Sequence, residues 1–189
     1  MASLTEIIWS LFGCYRLAVR DKNALDFFNI SASGFWISFS AILLALPVLA
    51  LENTLEHNAI GTDVDMLPYL LVRVVGTVAS WGIYLTFIAL FDQFYSRTGR
   101  FGAFVIVYNW AQFALILIWF PISILTMGLM GPEATSLFAL IFMGLSYVYL
   151  WYIIVTSMEV SGPVAAMLAF SEFIIALSVH RTTLEIFYT

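Results

Sequence analysis

Two ionisable residues, Arg73 and Glu172, lie inside long apolar segments of this 189-residue chain. A charged side chain in hydrocarbon costs roughly 3 kcal/mol or more on insertion scales, so such residues usually face a bundle interior and pair. The segment with Arg73 is predicted to enter the membrane near Leu67, and the segment with Glu172 to leave it near His180. The two side chains would then lie at similar depths. We therefore predict an Arg73–Glu172 pair; the alternative is that Arg73 reaches outward to lipid headgroups.

Two amides on the third apolar segment extend this polar set. Asn109 and Gln112 are three residues apart, which places them on one face of a helix. They could bridge from the Arg73–Glu172 pair toward Asp92 and Glu159, which lie at the ends of two segments, and so form a polar path for ions or protons. The alternative interpretation, which we favour, is that the two amides bond across helices.

The sequence was also searched for catalytic and metal-binding patterns. Its two histidines, His57 and His180, do not lie beside a serine motif, so nucleophilic hydrolysis has no candidate base. His57, Glu56 and Asp63 are weak candidates for a divalent metal site, but they lack an H-x-x-x-H or H-E-x-x-H spacing. A solvated acidic loop is the favoured interpretation of this stretch. We predict no cofactor, no catalytic residue and no enzymatic activity.

The composition identifies the class of protein. Hydrophobic residues make up 62% of the chain and charged residues 10%, where a soluble domain has about a quarter charged. This chain has too little polar surface to cover a water-facing core, so it is predicted to be an integral membrane protein. The net charge of −5 argues against a nucleic-acid partner, and the single cysteine, Cys14, cannot form an internal disulfide.

The apolar segments predict an all-α, polytopic helix bundle that forms one membrane domain over residues 1–189. About 20 residues are needed to cross the roughly 30 Å of hydrocarbon. The fifth segment is the shortest and its span is the least certain. The predicted spans are residues 34–51, 67–91, 101–127, 135–156 and 163–179.

An amphipathic helix over residues 3–22 is predicted to precede these spans. Ser3 and Glu6 have the spacing of a capping box, and apolar residues then recur at helical intervals. Basic residues follow, which is typical of a helix in the plane of the membrane interface. The alternative is a helix packed on the protein's own surface, and the two are compatible. The residues expected at the lipid interface are Trp9, Arg16, Arg20, Lys22 and Trp36.

The short loops predict the orientation. Arg16, Arg20 and Lys22 precede the first span, Arg97 and Arg100 follow the second, and the intervening loops lack Lys and Arg. The positive-inside rule then predicts a cytoplasmic N-terminus. Aromatic residues, including Tyr147 and Tyr149, are predicted to form an interfacial belt on the cytoplasmic side.

The stretches FFNISASGFWISFSAILLALP and GRFGAFVIVYNWAQ give the chain a layout that resembles small bacterial inner-membrane proteins of unassigned function. These are similar in layout to Yip1-type five-span proteins. The D-L-Y-G-P motif of that family is missing here, so no functional residues are carried over. The resemblance implies a five-helix bundle that organises, bends or assembles membrane components.

Two functions are therefore expected from the sequence. The first is a non-enzymatic accessory or scaffold protein, whose partners are membrane lipids and other integral membrane proteins or a second copy of itself. The second is a small transporter or channel with an intramembrane polar path. A continuous cavity that reaches Arg73, Glu172, Asn109 and Gln112 would favour the second.

Overall fold

The computed structural model describes residues 2–60, 63–96 and 98–188. Over these ranges the chain folds into helices joined by short turns. In chain order they are α1 (Leu4–Ala18), a 3-10 turn (Ala24–Phe27), α2 (Ala32–Ser38), α3 (Ser40–Ile60), α4 (Met66–Phe91) continued by a π-helical turn (Asp92–Ser96), α5 (Phe101–Met130), α6 (Pro132–Met158) and α7 (Gly162–Tyr188).

Five helical stretches in the described part of the chain are long and apolar enough to cross a membrane, and only 11 to 28% of their most apolar windows is buried inside the protein. Most of their surface therefore faces lipid. The predicted all-α bundle with five spans and an N-terminal helix is confirmed, and the molecule is a multi-pass membrane protein. The five stretches are Ala32–Ala59, Met66–Tyr95, Phe101–Met130, Pro132–Met158 and Gly162–Phe187.

The helices are longer than the apolar segments suggested, and α3 and α7 each continue nine residues past the predicted end of the span. The fifth span was predicted to end at residue 179, but α7 continues to Tyr188. Polar residues extend it, since Arg181 Nε donates to Glu185 Oε1 at 3.2 Å one turn later, a pair that stabilises helices. The fifth span is therefore as long as the fourth, and its predicted shortness is wrong.

The N-terminal helix begins as predicted and ends earlier. The Ser3 side chain accepts a hydrogen bond from the Glu6 backbone N–H at 3.1 Å, which caps the first turn. The helix was predicted over residues 3–22 but ends at Ala18, and Arg20 takes a left-handed conformation with φ 59°. The chain turns away there because such a residue cannot continue a right-handed helix.

The core lies in the half of the bundle next to α1. Nine consecutive residues of α5, Ala103–Ala111, are buried, and α1, α2, α3 and α6 all pack on this helix. Beyond Ala111 the described buried residues of α5 are Phe113 and Thr126. We call the end of the bundle that holds α1 the α1 end and the opposite end the far end.

Arg97, which contributed to the predicted orientation, lies outside the described residues.

Candidate functional site: an intramembrane polar cavity

Arg73 is the centre of a polar cluster near the far end of the bundle. Its Nη2 donates to Glu56 Oε2 at 2.9 Å, its Nε to Asn53 Oδ1 at 3.2 Å, and its Nη1 to His180 Nδ1 at 2.8 Å. The guanidinium also lies 6.0 Å from the centroid of the Tyr69 ring. Only 12% of the Arg73 side chain is exposed. Donors on three sides of the guanidinium are thus used to join α3, α4 and α7.

The predicted Arg73–Glu172 pair is wrong, because Arg73 pairs with Glu56. The prediction took the fifth span to end near His180, whereas α7 continues for two more turns. His180 therefore lies opposite Arg73, and Glu172 lies eight residues deeper, about 12 Å along the helix axis. The alternative, that Arg73 reaches the lipid headgroups, is wrong too, because its N–H groups donate to Glu56, Asn53 and His180 within the protein.

Glu172 lies near the middle of α7 and is bonded by a tyrosine. The Tyr147 hydroxyl of α6 donates to Glu172 Oε2 in a short hydrogen bond. Tyr108 and Gln112 of α5 line the same cavity as this carboxyl group. Among the described residues no lysine or arginine pairs with this carboxyl group. Glu172 therefore has a hydrogen-bond donor but lacks a counter-charge.

A cavity of about 460 Å³ connects the two levels. It is bounded by α4, α5, α6 and α7, and its lining runs from Arg73 and His180 to Glu172 at mid-membrane. A second cavity of about 400 Å³ shares Glu172, Tyr147 and Gln112 with the first. These volumes fall in the range of small-molecule sites. The polar side chains that line the first cavity are Arg73, Thr77, Ser80, Tyr108, Gln112, Tyr147, Glu172, His180 and Thr183.

Asn109 does not belong to this site, although the sequence grouped it with Gln112. Its side chain is fully buried, accepts from Trp81 Nε1 at 3.0 Å and donates to Ser38 Oγ at 2.9 Å. These bonds join α5 to α4 and α2. Asn109 is thus a structural cross-link, as the favoured interpretation predicted, while Gln112 lines both cavities.

The weak metal candidates are used in other contacts. Glu56 is bonded to Arg73, and His57 Nε2 lies 2.7 Å from the Val64 carbonyl oxygen while its ring packs on Tyr69. Asp63 is exposed. In the described ranges no group of three or more histidine, cysteine, aspartate or glutamate residues is placed to hold a metal ion.

The residues predicted at the lipid interface lie on or near the surface of the α1 end. Trp36 is 74% exposed and Trp9 is 50% exposed, the latter stacked on Phe27 at 5.8 Å. Arg20 and Lys22 are exposed. Arg16 differs, because it is bonded to Asp21. The Asn23 backbone N–H and the Arg16 guanidinium hold the pKa of the Asp21 carboxyl below its ordinary value.

Several residues of the site were missed in the sequence. His180 was assigned to the outer surface and Tyr147 to an aromatic belt, while Tyr108 was not singled out. One signal was available: Tyr108 and Gln112 are spaced i, i+4, which places them on one helix face. The depth of His180 relative to Arg73 could not have been predicted, because it depends on where α7 ends in the structure.

Comparisons with known proteins do not extend this description. No protein-family model matches the chain, and neither the curated proteins nor the solved structures contain a match.

Proposed function

We propose that this protein is a small transporter that binds an organic cation inside the membrane, in the cavity between α4, α5, α6 and α7. The observation that carries the proposal is that Glu172, with no lysine or arginine of the described residues against it, lines a cavity that extends toward the Arg73 cluster. Most buried carboxyl groups have a partner of opposite charge. Here the bound ligand would supply that charge.

The walls of the cavity favour a cation with apolar groups. Trp81, Tyr108, Tyr147 and Phe173 bring aromatic rings to the lining, and a cation over such a face is attracted to the ring. The hydroxyls of Thr77 and Ser80 lie on the α4 wall, and that of Thr77 donates to the Arg73 carbonyl oxygen at 3.0 Å. A small organic ammonium ion would therefore meet a carboxylate, aromatic faces and a few hydrogen-bonding groups.

We further propose a bacterial inner-membrane location with the α1 end in the cytoplasm. Support comes from the basic residues Arg16, Arg20, Lys22 and Arg100, which precede or separate spans at the α1 end. With this orientation the Arg73 cluster is nearer the periplasmic side. A solvent-access path from that side would reach Glu172 past Arg73 and His180.

Cysteine accessibility tests whether the cavity admits water. Ser80→Cys places a thiol in the cavity wall, and Val75→Cys is the matched control on the same helix, with 64% of Val75 exposed toward lipid. Cys14 stays silent, because burial raises the pKa of its thiol to about 12. We expect a charged methanethiosulfonate reagent to label Ser80→Cys and not Val75→Cys. Equal labelling of both, or of neither, would contradict an aqueous path.

Equilibrium binding of tetraphenylphosphonium to the protein in nanodiscs tests the ligand class. We expect Glu172→Gln to weaken binding about tenfold or more, because a lost charge contact is worth about 1.5 kcal/mol or more. Glu133→Gln is the control, since it removes the same charge from an exposed position at the start of α6. No binding by the wild type, or equal binding by both variants, would reject the cation assignment.

A second function, the accessory or scaffold protein, is supported by a different observation. The outer face of α1 exposes large apolar side chains that no part of the described chain covers, among them Leu4, Ile8 and Tyr15. This face could contact a partner subunit as well as lipid, which is what the Yip1-like layout would imply; that resemblance stays a prediction. Particle mass in mild detergent tests it. A stoichiometric complex larger than a dimer of the 21.2 kDa chain would favour a scaffold, and a monomer would not.

A further inference from the structure

A groove on the outside of the bundle lies between α1, α5 and α6. It shares no lining residue with the first cavity, and it adjoins the second cavity along Leu115, Phe142, Ser146 and Tyr149. Its volume is about 610 Å³, and its lining is mostly apolar, with Leu11 of α1, Leu117 and Ile118 of α5, and Leu145 and Val148 of α6. The α5 and α6 residues are exposed parts of membrane spans. The groove therefore faces the hydrocarbon of the bilayer.

The groove extends over the depth of one lipid leaflet. On α6 its lining runs from Phe142 at its deep end to Tyr152 near the α1 end. Ten helical residues correspond to about 15 Å, which is half of the roughly 30 Å hydrocarbon core. An acyl chain that starts at the interface and ends at the bilayer centre would match this length.

Arg20 lies at the interfacial end of the groove. Its left-handed backbone ends α1, and its guanidinium lies 6.0 Å from the centroid of the Tyr152 ring. The other arginines that the structure describes each pair with a carboxylate: Arg16 with Asp21, Arg73 with Glu56, Arg100 with Glu159 and Arg181 with Glu185. Among these described arginines, Arg20 alone has no such partner.

Two faces of α1 explain how the helix forms one wall. Its small buried residues, Ser10, Gly13 and Cys14, allow close packing on the bundle, and the Tyr149 hydroxyl of α6 donates to the Cys14 carbonyl oxygen at 2.9 Å. Apolar residues cover the opposite, exposed face, which is typical of a helix at the membrane interface. Arg20 follows the end of α1 at Ala18, so its charge lies beside the groove at the end of the helix.

We propose that this groove binds one anionic phospholipid, with an acyl chain along α5 and α6 and the phosphate on Arg20. The charge of the headgroup complements an arginine that has no carboxylate partner, and guanidinium–phosphate contacts are strong and often bidentate. This site lies beside α1 and is independent of the proposed transport function.

Phosphatidylglycerol retained by the purified protein, measured by native mass spectrometry, tests the headgroup contact. We expect the wild type to retain one molecule and Arg20→Ala to lose it, with at least about tenfold weaker retention. Lys22→Ala is the matched control, because it removes the same charge two residues away and outside the groove lining. Equal losses in both variants would show general attraction to a basic surface and would overturn the proposal.

A groove-filling variant tests the acyl-chain contact with Arg20 intact. Val148→Trp fills the groove, while Leu140→Trp adds the same ring to an exposed position of α6 outside it. Val148→Trp is expected to displace the lipid, and Leu140→Trp to retain it. Retention by Val148→Trp, with its thermal unfolding unchanged, would overturn the proposal.

A comparison of two lipids tests the charge of the headgroup. We expect the protein to retain phosphatidylethanolamine more weakly than phosphatidylglycerol. A preference in the opposite direction would overturn the anionic assignment.

Discussion

Asn109 and Gln112 lie one turn apart on α5 and carry the same amide group, yet the bundle uses them in different ways. Asn109 is fully buried with a partner on each side, Trp81 and Ser38. Gln112 is half-buried and lines the cavities beside Glu172. The difference follows from where α5 is covered. Close packing near the α1 end turns a polar residue into a cross-link, and looser packing leaves one beside a space that a ligand can enter.

Arg73 gives the largest expected effect on stability and tests whether a residue that lines the cavity can also be structural. Arg73→Met removes the donor to Glu56, Asn53 and His180. We expect it to lower the free energy of unfolding by about 2 kcal/mol. The loss is smaller than that for breaking a fully buried ion pair, because Glu56 is 38% exposed. Unfolding in mixed micelles measures the loss. Arg73→Met with Glu56→Leu should recover much of the stability.

A matched double variant distinguishes the two pairings of Arg73. Arg73→Met with Glu172→Leu leaves Glu56 without its cation, so it should be no more stable than Arg73→Met alone. Recovery in this variant, and not in the one with Glu56→Leu, would reinstate the pair that the sequence suggested.

Asn109→Leu is expected to cost about 1.5 kcal/mol, because the buried Trp81 N–H loses its acceptor. Gln112→Leu should cost less than about 0.5 kcal/mol, since Gln112 faces a cavity, and should instead weaken tetraphenylphosphonium binding. Micelle unfolding and nanodisc binding measure the two effects. Similar losses of stability at both positions would contradict the proposed difference between the buried, cross-linking Asn109 and the cavity-lining Gln112.

Gly76 and Gly82, both on α4, provide a test of packing beside the cavity. A Cβ at Gly76 would come within 2.6 Å of Thr183 Cγ2, whereas at Gly82 nothing lies within 4 Å. Gly76→Ala is expected to destabilise the contact of α4 with α7 by about 1 kcal/mol, because threonine is stiff at χ1. Gly82→Ala should be neutral or slightly stabilising. Thermal unfolding of the two variants, side by side, measures the difference; equal midpoints would show that α7 can move away freely.

Two tyrosines on α6 are expected to have small effects on stability. Tyr147→Phe removes the donor to Glu172 and should change cation binding, with a stability loss of about 0.5 kcal/mol. Tyr149→Phe removes the bond to the Cys14 carbonyl oxygen and is expected to make α1 easier to cleave by protease. It should affect cation binding less than Tyr147→Phe does, because Tyr149 lines the second cavity but not the first. If Tyr149→Phe altered cation binding as much as Tyr147→Phe does, the α1 groove and the polar cavity would not be independent.

The small residues on the helices show how far pattern alone leads. Gly76 and Ser80, or Ala165 and Ala169, have the spacing that allows close helix contacts, which favours internal packing. Gly76 does pack on Thr183 of α7, and both Ala165 and Ala169 are buried within the chain. The spacing indicates a contact surface, but it does not identify the partner helix, because any helix with a complementary face satisfies it.

The sequence by itself determined the class of the protein, the number of spans, the capped start of α1 and the polar residues worth examining. These features depend on local quantities: hydropathy over about 20 residues, periodicity and a capping pattern. Tertiary structure alone decided that Arg73 pairs with Glu56 and that Tyr147 bonds Glu172. It also decided that Asn109 is buried between two partners while Gln112 lines a cavity. Each of these contacts depends on the relative depth and rotation of two helices. An error of nine residues in the end of α7 displaced its residues by about 14 Å, which is enough to exchange one partner for another.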